Sequence, residues 1–225
     1  MTFGTLQTTV KNYLGVSNLD TMIPTFINIA KRKIERENNF KWMENYWYDP
    51  NTGYLKLSSD SITLPDNLKG IKYVRVWWSG GGSHNVPIID FNDLQNKYPD
   101  DNWDDHLAPG QPKEACAVSW ADWALVFKPY PDNLSYYYNV DLVYYVYSDD
   151  LAADADDTYW TSYCWEALLY GALLEGASYL VNDPRLPIWQ QKYAEAIASL
   201  RKQDTDLGLS ANMNASSNNI SLEDL

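Results

Sequence analysis

The spacing of hydrophobic positions changes character three times along the chain. Phe3, Leu6, Val10 and Leu14 recur at intervals of three and four, which predicts a short amphipathic helix closed by Gly15. Asn18 or Asp20 can open a second helix, in which Ile23, Phe26, Ile27, Ala30 and Ile34 share one face. Lys31, Arg32, Lys33, Glu35 and Arg36 then fall on the opposite, charged face. From residue 46 to about 148 the period shortens to two. Tyr54–Leu57, Ser61–Pro65 and Ile71–Trp78 read as strands separated by turn residues. Gly80, Gly81 and Gly82 make a hairpin tip before Val86–Ile89 resumes, and Cys116–Trp120, Ala124–Phe127 and Tyr136–Tyr147 supply three further strands. In the last of these Val140, Leu142, Tyr144 and Val146 point one way and Asp141, Val143, Tyr145 and Tyr147 the other, so both faces carry large side chains.

Helical spacing returns from residue 158 to about 201. Tyr159–Val181 is apolar nearly all round, which predicts a central helix buried on most sides. Glu166 and Glu175 would lie deep in hydrocarbon if it spanned a membrane, which argues against that reading. Gly171, Ala172, Gly176 and Ala177 allow close approach by neighbours. After Pro184 and Pro187, a last helix carries Trp189, Tyr193, Ala196, Ile197 and Leu200 as its stripe. Residues 203–225 are rich in Asn, Ser and Asp and hold no aromatics, which predicts a disordered tail. Leu207, Leu209, Met213, Ile220, Leu222 and Leu225 punctuate it like anchors that order on a partner. The fold expected is therefore α+β. Residues 1–45 and 158–202 form one helical bundle, residues 46–157 an inserted antiparallel β-sandwich or barrel-like domain, and 203–225 a flexible tail.

Charge sharpens this picture. The formal net charge of the 225 residues is −13, yet six basic against three acidic residues give the first 41 a charge of +3. The rest is strongly acidic, which excludes affinity for nucleic acid through phosphate neutralisation and docking on anionic lipid. Cys116 and Cys164 are the only cysteines and no secretory leader is visible, so both thiols are expected free. His84 and His106, each placed in a polar loop, lack zinc spacing, and no phosphate loop, nucleophile elbow or other catalytic signature occurs. Two acidic clusters, Asp100–Asp105 and Asp149–Asp157, invite a cation, but the second lacks the glycine and terminal Glu of a calcium loop. Its simpler role is to cap the helix opening near Thr158. No catalytic residue, cofactor or metal site is assigned.

The 10 Trp, 18 Tyr and 5 Phe exceed what this core needs. Trp77, Trp78, Trp120 and Trp123 are candidate contacts to neighbouring copies, since aromatics are enriched in interface cores. The alternative is a carbohydrate-binding module of a tail fibre or receptor-recognition protein, with the same rings, and Trp103, stacking on sugars.

The order helix-helix, β insertion, helix-helix, tail resembles the head-to-tail adaptor proteins of short-tailed bacteriophages. The charged segment Ile29–Arg36, the strand end Ile62–Leu68, the passage Phe127–Pro131 followed by Tyr144 and Tyr145, and the helix pair Ala167–Ala177 and Trp189–Tyr193 carry the likeness. The glycine-rich hairpin and the Asp-rich loop near Asp100 have no counterpart in it. The resemblance implies a non-enzymatic virion protein at the head-tail junction, assembled in the host cytoplasm as a ring of about 12 copies beneath the portal. It implies portal and tail or nozzle proteins as partners, a tail docked along the portal through Leu207, Leu209, Ile220, Leu222 and Leu225, and an acidic lumen through which DNA passes unbound. The basic face of Lys31, Arg32, Lys33 and Arg36 would meet an acidic portal or neighbour.

Overall fold

The computed structural model describes residues 1–15, 17–47, 54–55, 61–78, 82–99, 112–118, 123–129, 138–180 and 183–217. The chain divides into two compact units, one of Met1–Lys41 with Asp149–Leu225 and the other of Trp42–Ser148. The described residues hold six α-helices and two antiparallel sheets, a mixed α+β protein.

The first unit contains α1 (Phe3–Leu14), α2 (Ile23–Glu37), α4 (Tyr159–Tyr163), α5 (Trp165–Ala177) and α6 (Leu186–Ser217). Helix α5 packs against each of the other four. That follows from its composition, because a helix apolar over most of its circumference must be covered on most sides, and the stripe of Glu166, Tyr170, Leu174 and Ala177 stays partly open. Close approach is made possible by Gly171, where an added Cβ would stand 2.8 Å from the Ala30 Cβ of α2 and 3.3 Å from the Tyr193 ring of α6. Gly176 meets Leu14 of α1 and Phe26 of α2 in the same way. The expected single run from Tyr159 is interrupted at Cys164, which ends α4 and starts α5. Thr158 and Thr161 form a reciprocal capping box at the start of α4.

Backbone groups at both ends of α1 are satisfied from far along the chain. The amides of Phe3 and Gly4 donate to the carbonyls of Asp156 (3.0 Å) and Asp154 (2.9 Å). At the other end the Arg185 guanidinium donates to the carbonyls of Tyr13 (2.6 Å) and Leu14 (3.1 Å). Asp183 holds that guanidinium, which lies 4.8 Å over the Trp189 ring. Asn28 of α2 meets both backbone groups of Leu151, accepting from its amide and donating to its carbonyl at 2.9 Å. Free helix ends leave four orphan groups each, and these contacts answer several of them.

The second unit holds β1 (Glu44–Trp47), β2 (Tyr54–Leu55), β3 (Ser61–Thr63), β4 (Leu68–Trp78), β5 (Ser83–Asn85), α3 (Phe91–Lys97), β6 (Glu114–Val118), β7 (Ala124–Lys128) and β8 (Tyr138–Val146). One sheet runs β1-β8-β4-β5, with β2 also paired to β8, and the other runs β3-β7-β6. Their buried residues form a shared core that includes Val74, Val76, Val140, Leu142 and Tyr144 from the larger sheet and Ile62, Leu125 and Phe127 from the smaller. The alternation predicted for residues 140–146 is the alternation found, with Val140, Leu142 and Tyr144 inward.

Four expectations need correction. Helix α6 continues to Ser217, so the backbone is helical well past Gln203. Once nucleated, a helix propagates on one hydrogen bond per residue and does not require burial. Asp204 within this extension accepts from the Lys41 amide at 2.6 Å. On the basic face of α2, Lys31 and Glu35 are buried, whereas Arg32 is half-exposed and Lys33 and Arg36 are exposed. His84 lies in β5, with its Nε2 against the Pro112 carbonyl, and not in a loop. Helix α3 was not foreseen, since Leu94 is its one buried residue and seven residues give no period to read.

Substituting Gly171→Ala is expected to destabilise the helical unit by up to about 2 kcal/mol, because overpacking costs roughly 1–3 kcal/mol against a helix-propensity gain of about 1. Gly70→Ala, where an added Cβ meets nothing within 4 Å, is the control and should leave the β unit unchanged or slightly more stable. Urea unfolding by circular dichroism separates the two, and equal effects would show that the helix approach is not tight. A second expectation concerns Cys164, whose thiol burial pushes up from 9.0 to about 12. A folded value above the unfolded one means a stabilising contribution intact below about pH 9 and lost as pH rises toward 12. Native protein at pH 8 should therefore leave Cys164 unalkylated by iodoacetamide until unfolded, and Cys164→Ala should flatten the alkaline decline in melting temperature.

Candidate functional site

The sequence directs attention to three groups of residues: the tail leucines and isoleucine, the basic residues of α2, and the tryptophans of the β region. Leu207 lies exposed on α6. Leu209 continues that helix, whereas Ile220, Leu222 and Leu225 lie outside the described residues. The anchors therefore begin on a helix and run beyond its described end.

Of the basic residues of α2, Lys31 is turned inward while Lys33 and Arg36 stay exposed. Lys31 is 1% exposed and Glu35 fully buried, one turn apart with Nζ to Oε1 at 3.7 Å. The Lys31 ammonium donates to the Asp149 carbonyl, and burial lowers its pKa against the pull of Glu35. Arg32 bridges Glu35 (3.1 Å) and Asp150 (2.9 Å), and Lys33 pairs with Glu175 of α5. Arg36 directs its Nε to the Arg32 carbonyl at 3.4 Å. Lys31, Arg32 and Asn28 thus bind residues 149–151 to α2. The helix stripe was legible, but a cation buried by a distant acidic segment is invisible to a helical wheel.

The tryptophans separate into different situations. Trp77 on β4 is half-buried, and its Nε1 donates to Asp141 Oδ1 at 3.2 Å. Asp141, at the centre of β8, also accepts from Tyr46 Oη at 3.0 Å and from Arg75 Nε at 3.0 Å. Arg75 stands directly across the ladder from it. The Asp141 hydrogen bond, then its charge, raises the Arg75 pKa. This network lies on the sheet face opposite the shared core, and it puts Trp77 to use within the chain. Sequence reasoning missed it. Alternation gave the outward positions, but the β4–β8 register that makes Arg75 and Asp141 neighbours is not in the pattern.

Trp78 ends β4 opposite Tyr138. Trp103 and Trp120 lie outside the described residues. Trp123 is 59% exposed and adopts φ 55°, the left-handed region that bulky residues avoid. Its carbonyl accepts from the Leu64 amide at 2.7 Å, which fixes the backbone in that state.

The acidic cluster of residues 149–157 is occupied with structure. Asp156 accepts from the amides of Ala152 (2.9 Å) and Ala153 (3.0 Å), Asp154 from Gln7 (3.1 Å), and Asp157 from Thr161 and Ser162 at the start of α4. Among the described residues no group of three or more His, Cys, Asp or Glu could hold a metal ion. Asp100–Asp105 and His106 lie outside them. No helix among the described residues is long and apolar enough to cross a membrane.

Comparison with curated protein sequences gives no match. The model of the SU10 adaptor protein family matches residues 1–218, which take in the helices of both ends and all of the β region, and the chain therefore belongs to this family of bacteriophage structural adaptors.

Proposed function

We propose that this protein is a subunit of the ring that joins the phage portal to the tail at the head-tail junction of the virion, and that it acts by assembly, without catalysis. Family membership across residues 1–218 carries the reading. The charge distribution supports it. Residues 42–148 hold 14 acidic against 7 basic residues, and the whole chain stands at −13. Carboxylates lining a channel repel duplex phosphates, so DNA passes without adhering. The pairing of Lys31, Arg32 and Lys33 with Glu35, Asp150 and Glu175 offsets the charge of the principal basic patch.

Docking to the portal falls to the end of α6 and the residues after it, through Leu207, Leu209, Ile220, Leu222 and Leu225. Isolated apolar side chains on a polar segment bind weakly one by one. A ring of about twelve copies multiplies them by avidity. Trp78, Trp120 and Trp123 serve contacts between copies, while Trp77 is committed to Asp141.

Deleting residues 207–225 removes all five docking residues and keeps Asp204, which caps the Lys41 amide. The truncated protein should keep its melting temperature and lose at least tenfold in affinity for the portal protein of the same phage, measured by co-sedimentation, with rings on portals disappearing from electron micrographs. Portal binding at the intact protein's affinity would overturn the docking role. Saturable binding on a glycan array, abolished by Trp→Ala changes in the β region, would favour sugar recognition instead.

A further inference from the structure

Helix α3 is fastened to the smaller sheet by little. Its seven residues fall well short of the roughly 12–15 that an isolated helix needs in water. Leu94 is its one buried residue, clustered with Cys116 of β6 and Ala124 of β7. This cluster is separate from the core shared by the two sheets. The shared core takes Ala115 and Leu125, the neighbours of Cys116 and Ala124 in sequence, and therefore the opposite face of the same strands. No residue of α3 belongs to it. Helix α3 thus covers the outer face of the smaller sheet, and the shared core is assembled without it.

One ion pair adds to the hold. Lys97, the last residue of α3, donates to Glu114 Oε1 at the start of β6. The lysine side chain is 58% exposed and the glutamate side chain 10%. The second carboxylate oxygen, Oε2, is buried and accepts no hydrogen bond. A buried acceptor left unmet counts against the state that buries it. The chain entering α3 is pinned as far as Ile89, whose amide donates to the Ala115 carbonyl at 2.9 Å, while the Ala115 amide donates to the Pro87 carbonyl at 3.0 Å. A fixed hinge, a short helix with one apolar anchor, and a carboxylate under-satisfied in the closed state occur together at one place.

We propose that α3 is a detachable cover over the outer face of the smaller sheet, latched by Lys97 to Glu114, and that it lifts about the Ile89–Ala115 hinge while both sheets and their shared core stay folded. Lifting it hydrates both oxygens of Glu114 and bares the strip of Cys116, Ala124 and Val126. Proteins open in cooperative pieces, and the pieces with the fewest buried contacts open first. The device acts within one chain and needs no ring.

Thiol labelling set against backbone exchange tests this in the intact chain. Iodoacetamide is applied at pH 8 in urea well below the unfolding transition, and peptide mass spectrometry follows Cys116, Cys164 and the amide exchange of β8 together. Cys116 is 4% exposed and burial raises its thiol pKa, so its labelling reports the open cover. It should label at least about tenfold faster than β8 opens, at a rate nearly independent of urea, because lifting one short helix exposes little surface. Cys164 should stay unlabelled over the same interval. Lys97→Met keeps the aliphatic stem and removes the donor to Glu114, and should speed Cys116 labelling by at least about another tenfold with β8 protection unchanged. Leu94→Ala removes the apolar anchor and should act in the same direction. Cys116 labelling in step with β8 exchange, with the urea dependence of whole-unit unfolding, would overturn the cover. So would labelling of the wild-type protein at the rate of an unfolded chain, since no closed state would then exist. A Lys97→Met rate equal to wild type would overturn the latch.

Discussion

The fold depends on the enclosure of α5. Helix α5 carries Leu168, Leu169, Ala172 and Leu173 in full burial, with glycines where neighbours touch it, and leaves the stripe of Glu166, Tyr170, Leu174 and Ala177 partly open to water. Burying a Leu side chain stabilises by roughly 1.5–3 kcal/mol, and the gain is collected only if partners cover the rest of the helix. Those partners come from both ends of the chain: α1 and α2 from the beginning, α6 from the end. The termini must therefore fold together, and the β region between them folds as an insertion with its own core. The side-chain clamps on residues 149–151 and the Asp204 contact to Lys41 are the local consequence, since they fix the two points where the chain leaves and re-enters the helical unit.

The sequence revealed what repeats and concealed what pairs. Periods of 3.6 in Phe3–Leu14 and Ile23–Ile34, and of two in Val140–Val146, identified helices and strands because burial writes itself into spacing. Gly171 and Gly176 announced close helix approach through their size alone. Lys31 went the other way. Its charge placed it on the solvated side of the wheel, and Glu35 one turn on together with the Asp149 carbonyl, brought from more than a hundred residues away, makes a buried ammonium tolerable. An ammonium without such partners would incur several kcal/mol of desolvation. Helix α3 escaped for a related reason: it displays no buried stripe, and helical hydrogen bonding does not need one.

For the candidate site the same division holds. The tryptophans were conspicuous by number, and their roles were not. Trp77 and Trp123 are equivalent in a composition count, yet one donates its indole N–H to a buried carboxylate while the other stands in solvent on a disfavoured backbone. Alternation along β4 places Trp77 outward with Arg75. It does not say that β8 brings Asp141 opposite, which turns an outward ring into part of a closed network.

That contrast bears on how an assembling protein stays apart until its partner is present. Outward aromatic rings on a sheet are hazards, because they invite association in any register. Here the outer face of the larger sheet is disciplined by charge: Asp141 draws Tyr46, Arg75 and Trp77 into hydrogen bonds, and Lys72 is paired with Glu44. A hydrogen-bonded, charged face resists burial against an apolar neighbour, since burial would strip water from its exposed ions. On the assembly reading proposed above, contact falls instead to a few points such as the end of α6, while a net charge of −13 opposes non-specific association of free copies.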